Sequence, residues 1–183
     1  MQIAEDTIVD LPGLEFKGKP WQHVRSAMNK ATKQDISMRM VSLADESFAV
    51  KTQVRAISEE WVGDKGLPEM GFTLGSVEEA MDPAVRVALA VDPTGNVHGV
   101  LSWLQVYAPA GDVAGWTLDI MRRRTDGFGP VVEYLIASSA VAFKDEGAQF
   151  ISLSGAPLAR TGDFDAEPLD KLLDTLGAAL EPY

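Results

Sequence analysis

A chain of 183 residues, 46% hydrophobic and 23% charged, has the length and make-up of one globular domain with a sizeable core. It contains no cysteine, which excludes disulfide and thiolate chemistry; His23 and His98 alone cannot build a zinc site, and no apolar run reaches the ~18–20 residues of a membrane span. The net charge of −11 argues against general coating of nucleic acid, yet it is unevenly spread: Phe16 to Gln34 holds no acid, while Lys17, Lys19, Arg25, Lys30 and Lys33 are basic.

Residues 1–14 read as a lead-in with a turn at Leu11–Gly13. From Pro20 to about Lys33, Trp21, Val24, Met28 and Ala31 recur at steps of three and four, which predicts a helix. Arg25, Asn29 and Lys33 line one flank of it, with Lys30 further round. Such a flank is either solvated surface or, lacking any compensating acid, a contact for the phosphates of RNA or lipid. Ile36–Leu43 alternates as a strand. Asp45 can cap a helix carrying Val50, Val54, Ile57 and Trp61, which Gly63–Pro68 ends. A loop with Gly71-Phe72-Thr73-Leu74-Gly75 follows. Arg86–Val91 and Val97–Tyr107 read as antiparallel strands joined by the turn Asp92–Asn96.

Gly115–Met121 is the central strand, followed by Arg122, Arg123 and Arg124 and the turn Thr125–Gly129. Pro130 opens a helix over Val131–Phe143, for which Val131, Leu135, Val141 and Phe143 are the expected core residues. Gly147 closes it before the strand Phe150–Ser154, and an amphipathic helix starts at Pro168. Glycines and arginines just before a helix N-terminus make either a site for an anion or oxyanion, or a solvated surface turn. Strict alternation puts Asp119 and Met121 on one face of the central strand and Leu118 and Ile120 on the other. An unpaired carboxylate in so apolar a strand would be costly, so Asp119 has a partner: a neighbouring arginine or a substrate ammonium. Glu133, on the first turn of the following helix, is either a general base or only a partner of the helix dipole.

A helix, a strand, a helix, a hairpin and then a strand–turn–helix–strand unit describe an α/β fold with a mixed sheet flanked by helices. This order resembles the Gcn5-related N-acetyltransferases, in which the turn after the fourth strand cradles a pyrophosphate. Here that turn is Arg-Arg-Arg-Thr-Asp-Gly-Phe-Gly, loosely similar to the glutamine/arginine-x-x-glycine-x-glycine pattern.

Several motifs in order resemble a narrower family: Lys17-Gly18-Lys19 with Arg25–Ala31, Glu60–Lys65, Gly71–Gly75, Asp119-Ile120-Met121-Arg122-Arg123 and Ala156–Ala159. Together they are similar to the catalytic region of the phosphatidylglycerol lysyltransferases, which has two tandem acetyltransferase-like domains. The resemblance implies that residues 1–183 form a single acetyltransferase-like domain, the second of the pair. It would be a piece of a longer membrane-anchored protein working at the cytoplasmic face of the membrane. It implies transfer of an amino acid, lysine above all, from aminoacyl-tRNA to phosphatidylglycerol, with no cofactor and no metal. The partners would be the tRNA, the lipid, and the upstream domain with its membrane segments.

On this resemblance Asp119 lines the aminoacyl pocket, and Arg122 and Arg123 hold a phosphate, the tRNA 3′ end or the oxyanion, with Glu133 as a candidate base. Trp61, Asp64 and Lys65 belong to a substrate-binding motif. Trp61 is otherwise a core residue, and Asp64 and Lys65 a salt bridge shaping the loop. Lys17, Lys19, Arg25, Asn29, Lys30 and Lys33 would meet tRNA. An acyl-CoA-dependent N-acyltransferase and a non-catalytic module binding lipid or RNA are the alternatives.

Overall fold

The computed structural model describes residues 4–65 and 75–157. Its elements are β1 (Ala4–Asp10), α1 (Gln22–Lys33), β2 (Ser37–Val41), α2 (Phe48–Lys65), β3 (Arg86–Val91), β4 (Val97–Tyr107), β5 (Val113–Arg123), α3 (Val131–Asp145) and β6 (Phe150–Pro157). The strands form one sheet in the order β1-β6-β5-β4-β3-β2. Strands β5 and β6 run parallel, and every other neighbouring pair is antiparallel. The helix expected from Pro168 lies outside the described residues.

Two cores grow on the two faces of this sheet, because alternate residues of each strand point opposite ways. On one face Ala88, Leu101, Trp103, Trp116 and Leu118 meet Val131, Leu135 and Phe143 of α3 and Ala27 and Ala31 of α1. Phe143 stacks on Trp116 (4.8 Å between ring centroids) and takes Trp103 edge-on. On the other face Val87, Leu89, Val100 and Ile120 meet Val54 and Ile57 of α2. Gly99 lies under the start of α3, where any Cβ would strike the Val131 side chain.

The hairpin β3–β4 has the bounds its sequence predicts, and Asp92 shows why. Its Oδ1 accepts the N–H groups of Thr94 (2.8 Å) and Asn96 (3.0 Å), while Gly95 takes the left-handed conformation (φ 88°). The Asn96 side-chain amide and the Thr94 hydroxyl, with the Asn96 N–H behind them, hold the Asp92 carboxyl well below the usual range.

Four expectations need correction: Asp45 closes a short 3-10 turn, and Ser47 stands before α2 in its place, its Oγ accepting the Val50 N–H at 3.3 Å. Residues 4–10 are an edge strand paired with β6 rather than a lead-in. Strand β5 continues through Arg122 and Arg123, which the sequence places in a turn. Val141 is 38% exposed, since α3 turns that position away from the sheet.

Candidate active site

The site is built on an irregularity in β5. Leu118 pairs with Trp103 of β4, and Met121 with Leu101, so Asp119 and Ile120 together oppose the single residue Ser102. This is a β-bulge, which inserts one residue and resets the alternation. Leu118 and Met121 therefore both pack toward α3, while Ile120 joins the core under α2. Asp119 shares that second face with Ile120, not with Met121, and the bulge overturns the pairing of faces expected from strict alternation. Arg122 comes to the same face: it pairs with Val100, and its guanidinium lies over the Trp61 ring of α2, 3.5 Å from the centroid.

Ser102 is fully buried and fills the bulge. Its Oγ accepts the Ile120 N–H (2.9 Å) and donates to Asp119 Oδ2 (3.4 Å). The Gly75 N–H donates to the same carboxylate. A Cβ on Gly75 would overlap the Asp119 carboxylate, so only glycine allows this approach. Asp119 is half-buried, and its pKa is raised, first by burial and then by the negative charge of Glu79. The Ser102 hydroxyl, the Arg122 charge and the Gly75 N–H all oppose that rise. Such a carboxyl suits a cation that brings compensating charge.

Parallel pairing of β5 with β6 runs from Gly115 to Thr117, two residues short of Asp119. Just beyond it Ser154 adopts a left-handed conformation (φ 68°) and donates its hydroxyl to the Leu118 carbonyl. Thr117 Oγ1 donates to Ser152 Oγ (3.2 Å), which donates to Asp6 Oδ1 (2.6 Å). A row of hydroxyls thus lies beside Asp119 on the β5–β6–β1 half of the sheet.

Other expected site residues lie elsewhere. Arg123 pairs with Gly99, which faces Val131, so Arg123 points to the α3 face and away from Asp119 and Arg122. Glu133 lines a small apolar cavity with Val9, Phe16, Trp21 and Val24, again on the α3 face. The sheet separates it from Asp119, although only thirteen residues of chain lie between them. Trp61 is half-buried and stacks on Arg122 as described. Asp64 and Lys65 end α2, and their side chains are outside the described residues.

Helix α1 also sits on the α3 face, and its basic residues are unequal. Arg25 donates to the carbonyls of Phe16 (3.0 Å) and Gly18 (2.7 Å) and so shapes the preceding loop. Lys17 pairs with Glu15 at 2.9 Å. Lys19, Asn29, Lys30 and Lys33 are exposed.

The turn between β5 and α3 is largely occupied by its own contacts. The Arg124 N–H donates to the His98 carbonyl (3.0 Å) and the Phe128 N–H to His98 Nδ1 (3.1 Å). The Arg124 guanidinium clasps both oxygens of Asp126 (2.9 and 3.0 Å). Among the described residues no group of three His, Asp or Glu side chains could hold a metal ion, and no helix is long and apolar enough to cross a membrane.

Compared with known proteins, the sequence matches the family described as "Phosphatidylglycerol lysyltransferase, C-terminal" over residues 1–183. The chain belongs to this family. An uncharacterised protein of Corynebacterium glutamicum is 42% identical over 184 residues, covering 100% of this chain and 23% of that protein. The phosphatidylglycerol lysyltransferase of Bacillus subtilis is 25% identical over 88% of this chain and 18% of its own length. The chain thus spans a quarter or less of these two relatives. The solved structure of L-PGS from Bacillus licheniformis superposes with a TM-score of 0.74 at 20% identity, over 97% of this chain and 53% of that one. The fold is the Gcn5-related acetyltransferase-like one, as the order of elements predicts. The sequence singles out Asp119 and Arg122, which the structure brings to one face, but not Ser102, whose signal was a lone hydroxyl between Leu101 and Trp103 in a buried strand.

Proposed function

We propose that this chain is the aminoacyl-binding part of an enzyme that moves lysine from aminoacyl-tRNA to phosphatidylglycerol at the cytoplasmic face of the membrane. The observation that carries this reading is the half-buried Asp119 carboxylate, presented on a bulge and held by the Ser102 hydroxyl and the Gly75 N–H. A carboxylate so desolvated gains most from a bound ammonium, and an aminoacyl ester of lysine brings two. The family match supports the substrate class.

In the reaction a glycerol hydroxyl of the lipid attacks the ester carbonyl. A new C–O bond forms, the bond to the ribose oxygen breaks, and the proton leaving the glycerol hydroxyl ends on that ribose oxygen. The ester is already activated, so orientation and charge stabilisation can supply most of the acceleration. Asp119 orients the amino acid, and Arg122, on the same face, supplies positive charge beside it. The exposed Lys19, Asn29, Lys30 and Lys33 are the part of α1 available to tRNA phosphates. Glu133 and Arg123, beyond the sheet, are given no part in the chemical step.

An acyl-CoA reading fares worse. The turn that would cradle a pyrophosphate has its Arg124 and Phe128 N–H groups bound to His98 and its Arg124 side chain bound to Asp126.

Asp119→Asn tests the proposal, because it keeps shape and an acceptor oxygen while removing charge. Calorimetric binding of lysine amide should fall about tenfold or more, the value of a hydrogen bond to a charged group. Lysine transfer from lysyl-tRNA to phosphatidylglycerol vesicles, by the longest native protein containing this chain, should fall with it. Unchanged affinity for lysine amide would refute the assignment.

A further inference from the structure

We infer that Ser102 is the positioning residue for Asp119, coupling the shape of the bulge to the direction in which the carboxylate points. This rests on the reading of Asp119 as the ammonium site and deepens it. A bulge leaves one strand with an extra residue that regular pairing cannot satisfy. Here the Ile120 N–H is buried, and its acceptor is the Ser102 hydroxyl at 2.9 Å. A hydroxyl has a single proton, so once the oxygen accepts from Ile120 that proton is free to point elsewhere. Asp119 Oδ2, 3.4 Å away, is the acceptor within its reach. One side chain therefore closes the bulge and orients the carboxylate that the bulge presents.

The surroundings make this contact decisive. Asp119 faces Ser102 from β4, the Gly75 N–H from the segment before the Glu79–Met81 turn, Glu79 from that turn, and Arg122 from its own strand. Glu79 repels the ionised carboxylate, and the Gly75 backbone packs against it and donates its N–H. Ser102 is the neutral side chain among these groups that fixes a direction. Alanine could neither accept from Ile120 nor donate to Asp119. The carboxyl would hold its proton more tightly and turn from its line.

The test is calorimetric binding of lysine amide to the 183-residue chain between pH 4 and 8. Ser102→Ala should weaken binding severalfold, because the ligand must then order the carboxylate itself. It should also move the acid limb of the binding profile to higher pH, which a merely structural role would not do. Ser102→Thr restores the hydroxyl in a residue well suited to strands and should recover most of the affinity. Should the alanine variant fail to fold, Ser102→Cys keeps a side chain of similar shape with only a weak donor and acceptor, and is expected to show the same loss. Wild-type affinity and pH profile in a folded Ala or Cys variant would overturn the inference, as would a folded threonine variant as weak as alanine. Asp119→Asn, run alongside, separates the cases. Binding that survives that change refutes the ammonium site itself. Binding lost in Asp119→Asn but intact in Ser102→Ala refutes only the role of Ser102.

Discussion

The stacking of Arg122 on Trp61 allows a quantitative test of how α2 is held to the sheet. Arg122 is 3% exposed and its guanidinium lies 3.5 Å from the indole centroid. A desolvated cation–π contact contributes about 2 kcal/mol, and truncating a buried aromatic to alanine costs about 3–5 kcal/mol in all. Trp61 is only half-buried, so Trp61→Ala should cost about 2–4 kcal/mol, which lowers the melting temperature of a chain this size by roughly 4–16 °C. Trp61→Phe keeps a ring over the guanidinium and should lose about 1 kcal/mol. Trp61→Leu keeps apolar bulk without the ring quadrupole and should fall between the two. Urea and thermal unfolding of the three variants decide the matter. If leucine is as stable as phenylalanine, the cation–π contact contributes nothing. If alanine falls within about 0.5 kcal/mol of the parent, the stack does not hold α2 at all.

Two further outcomes follow from charge. Replacing Lys19, Lys30 and Lys33 together with alanine should weaken tRNA binding and lower its salt slope by about two to three, roughly one per lost phosphate contact; an unchanged slope would remove α1 from the interface. For Asp119, the native state binds a proton more tightly than the unfolded chain, whose carboxyl keeps its usual value of 3.8. Its contribution to stability is therefore full below that value and is lost as pH rises through the raised native pKa. Subtracting the pH–stability curve of Asp119→Asn from that of the parent should reveal this decline, isolated from Asp92 and Asp126, whose lowered values act in the opposite sense. A flat difference curve would contradict the burial of the carboxylate.

What the sequence made legible depended on how regular each segment is. The bounds of β3 and β4 could be read because clean alternation meets a turn whose Asp92, Thr94, Gly95 and Asn96 each satisfy a specific geometric need. Strand β1 could not, because an edge strand of mixed polarity carries no strong alternation and gains its order from pairing with β6, about 150 residues away. Asp119 and Arg122 stood out as charges in or beside an apolar strand, but their shared face depends on a bulge that no period-two reading contains. Glu133 looked close to Asp119 along the chain, and the sheet keeps them apart. Arg25 illustrates a further limit. Its charge was visible, but the two carbonyls that occupy it belong to a loop whose path the sequence does not specify.

The bulge also has a meaning for how such a chain can vary. A strand in strict register ties each residue's destination to the parity of its position, so sequence drift in β5 would exchange interior for exterior wholesale. One surplus residue breaks that tie. Upstream of it, Trp116 and Leu118 are selected for fit against α3; downstream, Arg122 is selected for what it meets beneath α2. The two halves of one strand can then evolve on separate schedules. Deletions act differently at the bulge and beside it: losing either Asp119 or Ile120 would leave one residue opposite Ser102 and keep Arg122 opposite Val100 on the α2 face, whereas losing a regularly paired residue would turn the rest of its half over. Length in this strand should therefore be tolerant of change at the bulge and nowhere else.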